Sequence, residues 1–140
     1  MKGLLFLFLF LVIAALVGCD GDEKSETPLE SEQLQTAEHH EISAEEARKI
    51  MNDGGEFILI DVRTQNEYNE NRIDGAVLIP DYEIKERAFE AIPDKKARIL
   101  IYCRSGRRSA IAAKELADMG YTDVYDFGGI IDWPYDTVKS

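Results

Sequence analysis

Three short, unbroken apolar runs set the strongest limit on how this chain can fold: Phe57-Ile58-Leu59-Ile60, Ala76-Val77-Leu78-Ile79 and Ile99-Leu100-Ile101-Tyr102. A strand that is apolar at every position has no face to show to water, so it must be covered on both sides, as in a parallel sheet flanked by helices. The segments around the runs agree. Ser43-x-x-Glu46 and Thr64-x-x-Glu67 are capping boxes, the first opening a helix through about Met51 that Gly54 is placed to end. Pro80 stops the second run, and Ile84 to Ile92 has helical character. Ser109 to Met119 carries an apolar stripe at Ala110, Ala113, Leu116 and Ala117 and is closed by Gly120. Asp123 to Phe127 reads as a last strand, after which Gly128-Gly129-Ile130 opens a turn containing Trp133. Strand and helix signals in alternation predict an α/β domain around a mostly parallel sheet. Trp133, Tyr102, Tyr121 and Tyr125 are read as core filler rather than a ligand cage.

Before Glu41 the composition changes twice. Behind Lys2, Leu4 through Val17 form an apolar stretch of 14 residues, short for a permanent membrane span. It ends in Leu16-Val17-Gly18-Cys19, which resembles the bacterial lipobox, where cleavage falls before a cysteine whose thiol is acylated. That resemblance implies a signal peptide over 1–18 and a lipid on Cys19. Each buried acyl methylene contributes about 0.8 kcal/mol, so several chains anchor firmly. The expected location is the cell envelope, lipid-anchored to a membrane. In a Gram-negative cell Asp20 resembles a retention signal for the periplasmic face of the inner membrane. Residues 19–40 are rich in Glu, Ser, Thr and Gln and read as a disordered tether to a domain over 41–140. His39 and His40 have no third ligand nearby and read as solvated linker residues, so no metal site is expected.

Seven of the 27 acidic residues lie in the first forty, against Lys2 and Lys24, so the net charge of −11 is partly a property of that segment and the domain is left at −6. An acidic body argues against nucleic acid as a partner, because phosphate binding needs a basic face.

The two cysteines separate by role. With Cys19 acylated, Cys103 is the remaining thiol, which excludes an intramolecular disulfide, Cys-x-x-Cys redox chemistry and a tetrathiolate zinc site. A free cysteine in an exported protein asks for a reason. Its surroundings supply one: Tyr102-Cys103-Arg104-Ser105-Gly106-Arg107-Arg108-Ser109 leaves a buried strand and enters a helix within a few residues. Ligands of open α/β sheets bind at such strand ends. The loop turns backbone N–H groups and a helix dipole toward its centre, favouring a thiolate. Three arginines in five residues add positive charge, and Gly106 frees the backbone to curl. The pattern predicts Cys103 as a nucleophile, with Arg104, Ser105, Gly106, Arg107 and Arg108 cradling an anion.

The Cys103 loop, Asp61-Val62-Arg63, Arg72-Ile73-Asp74-Gly75-Ala76 and Gly128-Gly129-Ile130-x-x-Trp133 together resemble a single-domain rhodanese over about Glu41 to Asp136. The resemblance implies the rhodanese-like α/β fold and a sulfurtransferase: Cys103 takes the sulfane sulfur of a donor such as thiosulfate as a persulfide and passes it to cyanide or a thiol. No metal or organic cofactor is implied. Asn71-Arg72 stand where the family usually has Gly-His, a position regarded as supporting. Asp61, Arg63 and Glu67 match family positions that look structural, and an Arg63–Glu67 pair across a helical turn is expected to pin the neighbouring loop. Cdc25-type phosphatases and some arsenate reductases share this fold, but their loop is one residue longer. Here Arg108 comes one place too early for a phosphate loop. A further alternative is a non-catalytic envelope module for binding or sulfide sensing, a reading disfavoured by the intact cysteine.

Overall fold

A computed structural model describes residues 37–140; the signal segment, Cys19 and the tether as far as residue 36 lie outside the described residues. The chain forms β1 (His39–Glu41), α1 (Ala44–Asn52), β2 (Ile58–Asp61), α2 (Gln65–Glu70), β3 (Val77–Leu78), α3 (Ile84–Ala91), β4 (Ile99–Cys103), α4 (Arg107–Asp118) and β5 (Val124–Gly129), with 3₁₀ turns at Asp81–Glu83 and Ile130–Asp132. The five strands pair in the order β1-β5-β4-β2-β3, every pair parallel.

The pleat divides the apolar runs between two cores. All five residues of β4 are buried. Ile99, Ile101 and Cys103 point to one face, where Ala88 of α3 and Ala112, Ala113 and Leu116 of α4 cover them. Leu100 and Tyr102 point to the other, against Ala47 of α1, Phe127 and Trp133. In β2, Ile60 lies beside Ile101 and Leu59 beside Leu100, so both strands feed the same two cores in register. Tyr121 is core as expected, whereas Tyr125 is half-buried.

Both capping boxes form. The Ser43 hydroxyl accepts from Glu46 N at 3.1 Å while Glu46 Oε2 accepts from Ser43 N at 2.8 Å. Thr64 and Glu67 repeat this at 3.3 and 3.0 Å. Gly54, with φ +83°, follows the C-cap Asp53 in the left-handed conformation that ends α1.

Three elements depart from the sequence reading. The run at Ala76–Ile79 yields a two-residue edge strand, not a buried one, with Val77 46% exposed. Ala76 N is still tied to Ile73 O in the preceding turn, and Pro80 has no N–H to extend the ladder. His39 and His40 are not tether: they pair with Val124 and Tyr125 as edge strand β1, and the His40 ring sits 5.3 Å from that of Tyr125. An edge strand this polar carries no apolar run to announce it. Helix α4 begins at Arg107, two residues before Ser109, because Gly106 at φ +99° turns the chain straight into the helix.

Tyr102 ties the layers together. Fully buried, its hydroxyl donates to Asp61 Oδ2 at 2.7 Å and accepts from Ile73 N at 3.2 Å. Tyr102→Phe strands the Ile73 N–H and should lower stability by about 1–3 kcal/mol. Urea unfolding measures this, and an unchanged midpoint would show that the hydroxyl contributes nothing to the buried network.

Candidate active site

Cys103 ends β4, and the three residues after it turn the chain into α4. Its side chain is 1% exposed, and Sγ accepts a hydrogen bond from Gly106 N at 3.0 Å. The first N–H groups of α4 have no partner inside the helix, and no acidic residue sits in its first turn, so that end of the helix is electropositive. The thiol also donates to Ser109 Oγ at 3.5 Å, and that hydroxyl points on to Gly106 O at 3.1 Å and Gly128 O at 3.3 Å. A sulfur anion here meets the Gly106 N–H at the electropositive end of α4.

The loop is seated on β5. A Cβ added to Gly129 would overlap Arg104 O and lie 2.6 Å from Ser105 Cα, so no side chain fits there. Ile131 N donates to Arg104 O at 3.2 Å and fixes the seat from above. The sequence marks Gly129 as the start of a turn and as part of the Gly128-Gly129-Ile130-x-x-Trp133 motif; its position as the last residue of β5 makes it the floor of the loop.

The five loop residues expected to cradle an anion do not act alike. Arg104, Ser105 and Arg107 are exposed beside the sulfur, and Gly106 supplies the N–H that reaches it. Arg108 is spoken for: its guanidinium donates to both Glu67 oxygens, at 2.9 and 2.8 Å. The predicted Arg63–Glu67 pair therefore does not form. Arg63 instead is buried against Asp61, donating from Nη2 at 2.7 Å and from Nε at 3.0 and 3.1 Å, and it also donates to Asn71 O. Asp61 can hold Arg63 because the two are only two residues apart on the bend leaving β2. Glu67 is carried by α2 toward α4, which puts Arg108 and not Arg63 within reach. Arg72, in the position of the family's histidine, turns away from the site: it packs over the Tyr68 ring and donates to Ser140 Oγ at 2.6 Å.

Beside the loop lies a cleft of about 250 Å³ lined by Arg63, Glu67, Glu70, Asn71, Arg104, Ile130 and Ile131. A larger cavity of about 590 Å³, around Phe57, Asp94 and Arg98, includes the start of β2, the opposite strand end from Cys103.

A family model of the rhodanese-like domain matches residues 43–134. The chain belongs to the rhodanese family. Among curated relatives, this rhodanese domain is 42% identical over 80 residues to the thiosulfate sulfurtransferase PspE of Escherichia coli, covering 57% of this chain and 77% of that one. It is 36% identical over 95 residues to a sulfurtransferase of Allochromatium vinosum, covering 67% and 87%. Among solved structures, a rhodanese with anions from E. coli matches with a TM-score of 0.58 at 40% identity, covering 61% of this chain and all of that one. The rhodanese fold and a sulfurtransferase activity are thereby supported together.

The Arg108–Glu67 pair carries a pH signature. Hydrogen bonds from Arg108 hold the Glu67 carboxyl down at about 2, with the Thr64 cap adding to the effect against partial burial. A lowered native value means the contribution is whole above the ordinary glutamate value near 4.5 and is lost as pH falls through about 2. Wild type should therefore exceed Glu67→Gln in urea resistance at neutral pH, and the gap should close between those two values. A gap independent of pH would show that the charge pair is not what Glu67 supplies.

Proposed function

We propose that this protein is a thiosulfate-using sulfurtransferase working through a Cys103 persulfide. The Cys103 thiolate attacks the outer, sulfane sulfur of thiosulfate. The S–S bond of the donor breaks, sulfite leaves with the electron pair, and Cys103 retains the sulfur as Cys–S–S⁻. Cyanide or a thiolate then attacks that terminal sulfur, the Cys–S–S bond breaks, and the thiolate returns as thiocyanate or a new persulfide departs. The cycle calls for no metal or organic cofactor.

The observation that carries this reading is the contact of Cys103 Sγ with Gly106 N at the mouth of α4. The same electropositive backbone accommodates thiolate and persulfide, so neither half of the cycle leaves a bare anion. Arg104 and Arg107 stand exposed on an acidic domain, where they draw a small anionic donor toward the loop. The names of the relatives point the same way, since PspE and a Coxiella burnetii relative 32% identical over 79 residues are both thiosulfate sulfurtransferases. A phosphatase reading is weaker, because Arg108, the cation nearest the place where phosphate chemistry wants one, is already bound by Glu67 through two hydrogen bonds. Thiosulfate treatment of the purified protein should add 32 Da, cyanide should remove it, and Cys103→Ser should show neither. Aryl phosphate hydrolysis should stay at background. No mass gain with an accessible thiol would favour the non-catalytic binding or sensing module.

The N-terminal segment adds a location. A lipid on Cys19, following cleavage after Gly18, would tether the domain to the cell envelope, on the periplasmic face of the inner membrane in a Gram-negative cell. Wild type should sediment with membranes, and Cys19→Ala should not be processed by the lipoprotein route. A Cys19→Ala protein that is fully processed and still membrane-bound would refute the anchor.

A further inference from the structure

Beneath the Cys103 loop the fold buries a carboxyl that the transfer cycle does not use. Asp126 is 5% exposed and lies on β5 in register with Ile101, on the sheet face that also carries Cys103. Its Oδ1 accepts from Gly128 N at 3.0 Å, and none of the described lysines or arginines forms an ion pair with it. The charged groups that face it are Glu41 and His39 on β1. Ser109, fully buried on α4, holds its Oγ 3.5 Å from Cys103 Sγ and 3.3 Å from the carbonyl oxygen of Gly128, the residue whose N–H Asp126 accepts. Three buried polar side chains are thus connected from the nucleophile, through Ser109 and the Gly128 backbone, to an acid that no described lysine or arginine pairs with.

Burial pushes the Asp126 carboxyl up, the Gly128 N–H and Ser109 pull it part of the way back, Glu41 pushes it up further and His39 lowers it. When ionised, it places a negative charge in the buried layer on the Cys103 face of the sheet, where water screens it poorly. That charge acts against every anion approaching Cys103 from the front, and twice as strongly on a dianion as on a monoanion. Exposed Arg104 and Arg107 attract the same anions through solvent, where screening weakens them.

We propose that Asp126, buried on the sheet face that carries Cys103, is a specificity-determining residue that penalises anionic sulfur donors at Cys103 relative to uncharged ones. The inference rests on the sulfurtransferase reading and adds a ranking among its donors: thiosulfate reacts against the field of Asp126, and sulfane sulfur carried in compounds of lower charge meets less of it. The exchange itself is the same for any donor: a bond forms from Cys103 Sγ to a donor sulfur, and the donor's S–S bond breaks with the electron pair going to the leaving group.

The test uses two alkylating agents that differ by one charge, iodoacetate and iodoacetamide, on the full chain. Both consume the same thiolate, so the ratio of their rate constants cancels the thiolate fraction and reads the field at the sulfur. Asp126→Asn keeps an oxygen for the Gly128 N–H and should raise the iodoacetate-to-iodoacetamide ratio about fivefold. It should raise kcat/KM for thiosulfate by a larger factor. A residue that merely shapes the loop would move both reagents together, and an unchanged ratio overturns the proposal. A second measurement leaves the core intact. With His39 and Glu41 both replaced by glutamine, the ratio should fall as pH rises from acid to neutral and Asp126 ionises; a flat ratio overturns the proposal even where Asp126→Asn does not fold. Because alkylation requires no sulfur transfer, failure of the sulfurtransferase reading would show separately, as an absent 32 Da adduct.

Discussion

Everything in this domain is arranged around the burial of β4 on both faces. Five consecutive residues without access to water oblige the chain to supply a helical layer on each side, and the pleat sends alternate residues to each. Ile99 and Ile101 therefore commit α3 and α4 to one face, and Leu100 and Tyr102 commit α1 to the other. Cys103 is the fifth residue of that strand, which fixes its side chain toward α4 before any catalytic consideration enters. The nucleophile is in effect the last core residue, placed where the core runs out.

The polar groups around it form two closed circuits and one open one. Asp61, Arg63 and Tyr102 satisfy one another in the interior, and burial together with the Asp61 charge keeps the Tyr102 hydroxyl protonated well past its ordinary range. Glu67 closes a second circuit by capping α2 and clasping Arg108, which ties α2 to α4 across the site mouth. A buried pair broken on one side costs far more than it contributed intact, so the Asp61–Arg63 circuit holds the loop's surroundings in one arrangement, and the half-buried Glu67–Arg108 pair adds a weaker clasp. Asp126 is the exception, a buried acid with which none of the described lysines or arginines pairs, on the nucleophile's side of the sheet.

The sequence made the strands that matter legible because they are apolar without interruption, and it made the helix starts legible because Ser43–Glu46 and Thr64–Glu67 hold the spacing a capping box needs. It placed Cys103 at a strand end ahead of a helix, which is where it is. What it could not supply were partners distant in sequence. Glu67 and Arg108 are separated by two strands and a helix, so nothing local favours that pair over the nearer Arg63. β1 escaped notice because its one ladder, to β5, lies at the far end of the chain and its residues are polar. Asp126 went unread for the same reason: it belongs to no local motif, and its relation to Cys103 exists only once β5 lies beside β4. Gly129 was visible as a glycine, but its meaning depends on Arg104 and Ser105 crossing over it.

The site is consequently built more from backbone than from side chains. Gly106 offers its N–H to the sulfur, Gly129 offers the absence of a side chain, and the first turn of α4 offers unpaired donors. Backbone donors hold a single sulfur anion well but distinguish poorly among molecules that carry one, since they touch only the transferred atom. Discrimination must then come from charge. Arg108 is withdrawn by Glu67, leaving Arg104 and Arg107 in solvent and Asp126 buried on the sheet face that carries Cys103. Screening weakens the first two and spares the third, so the buried acid weighs more on donor choice than its single charge suggests.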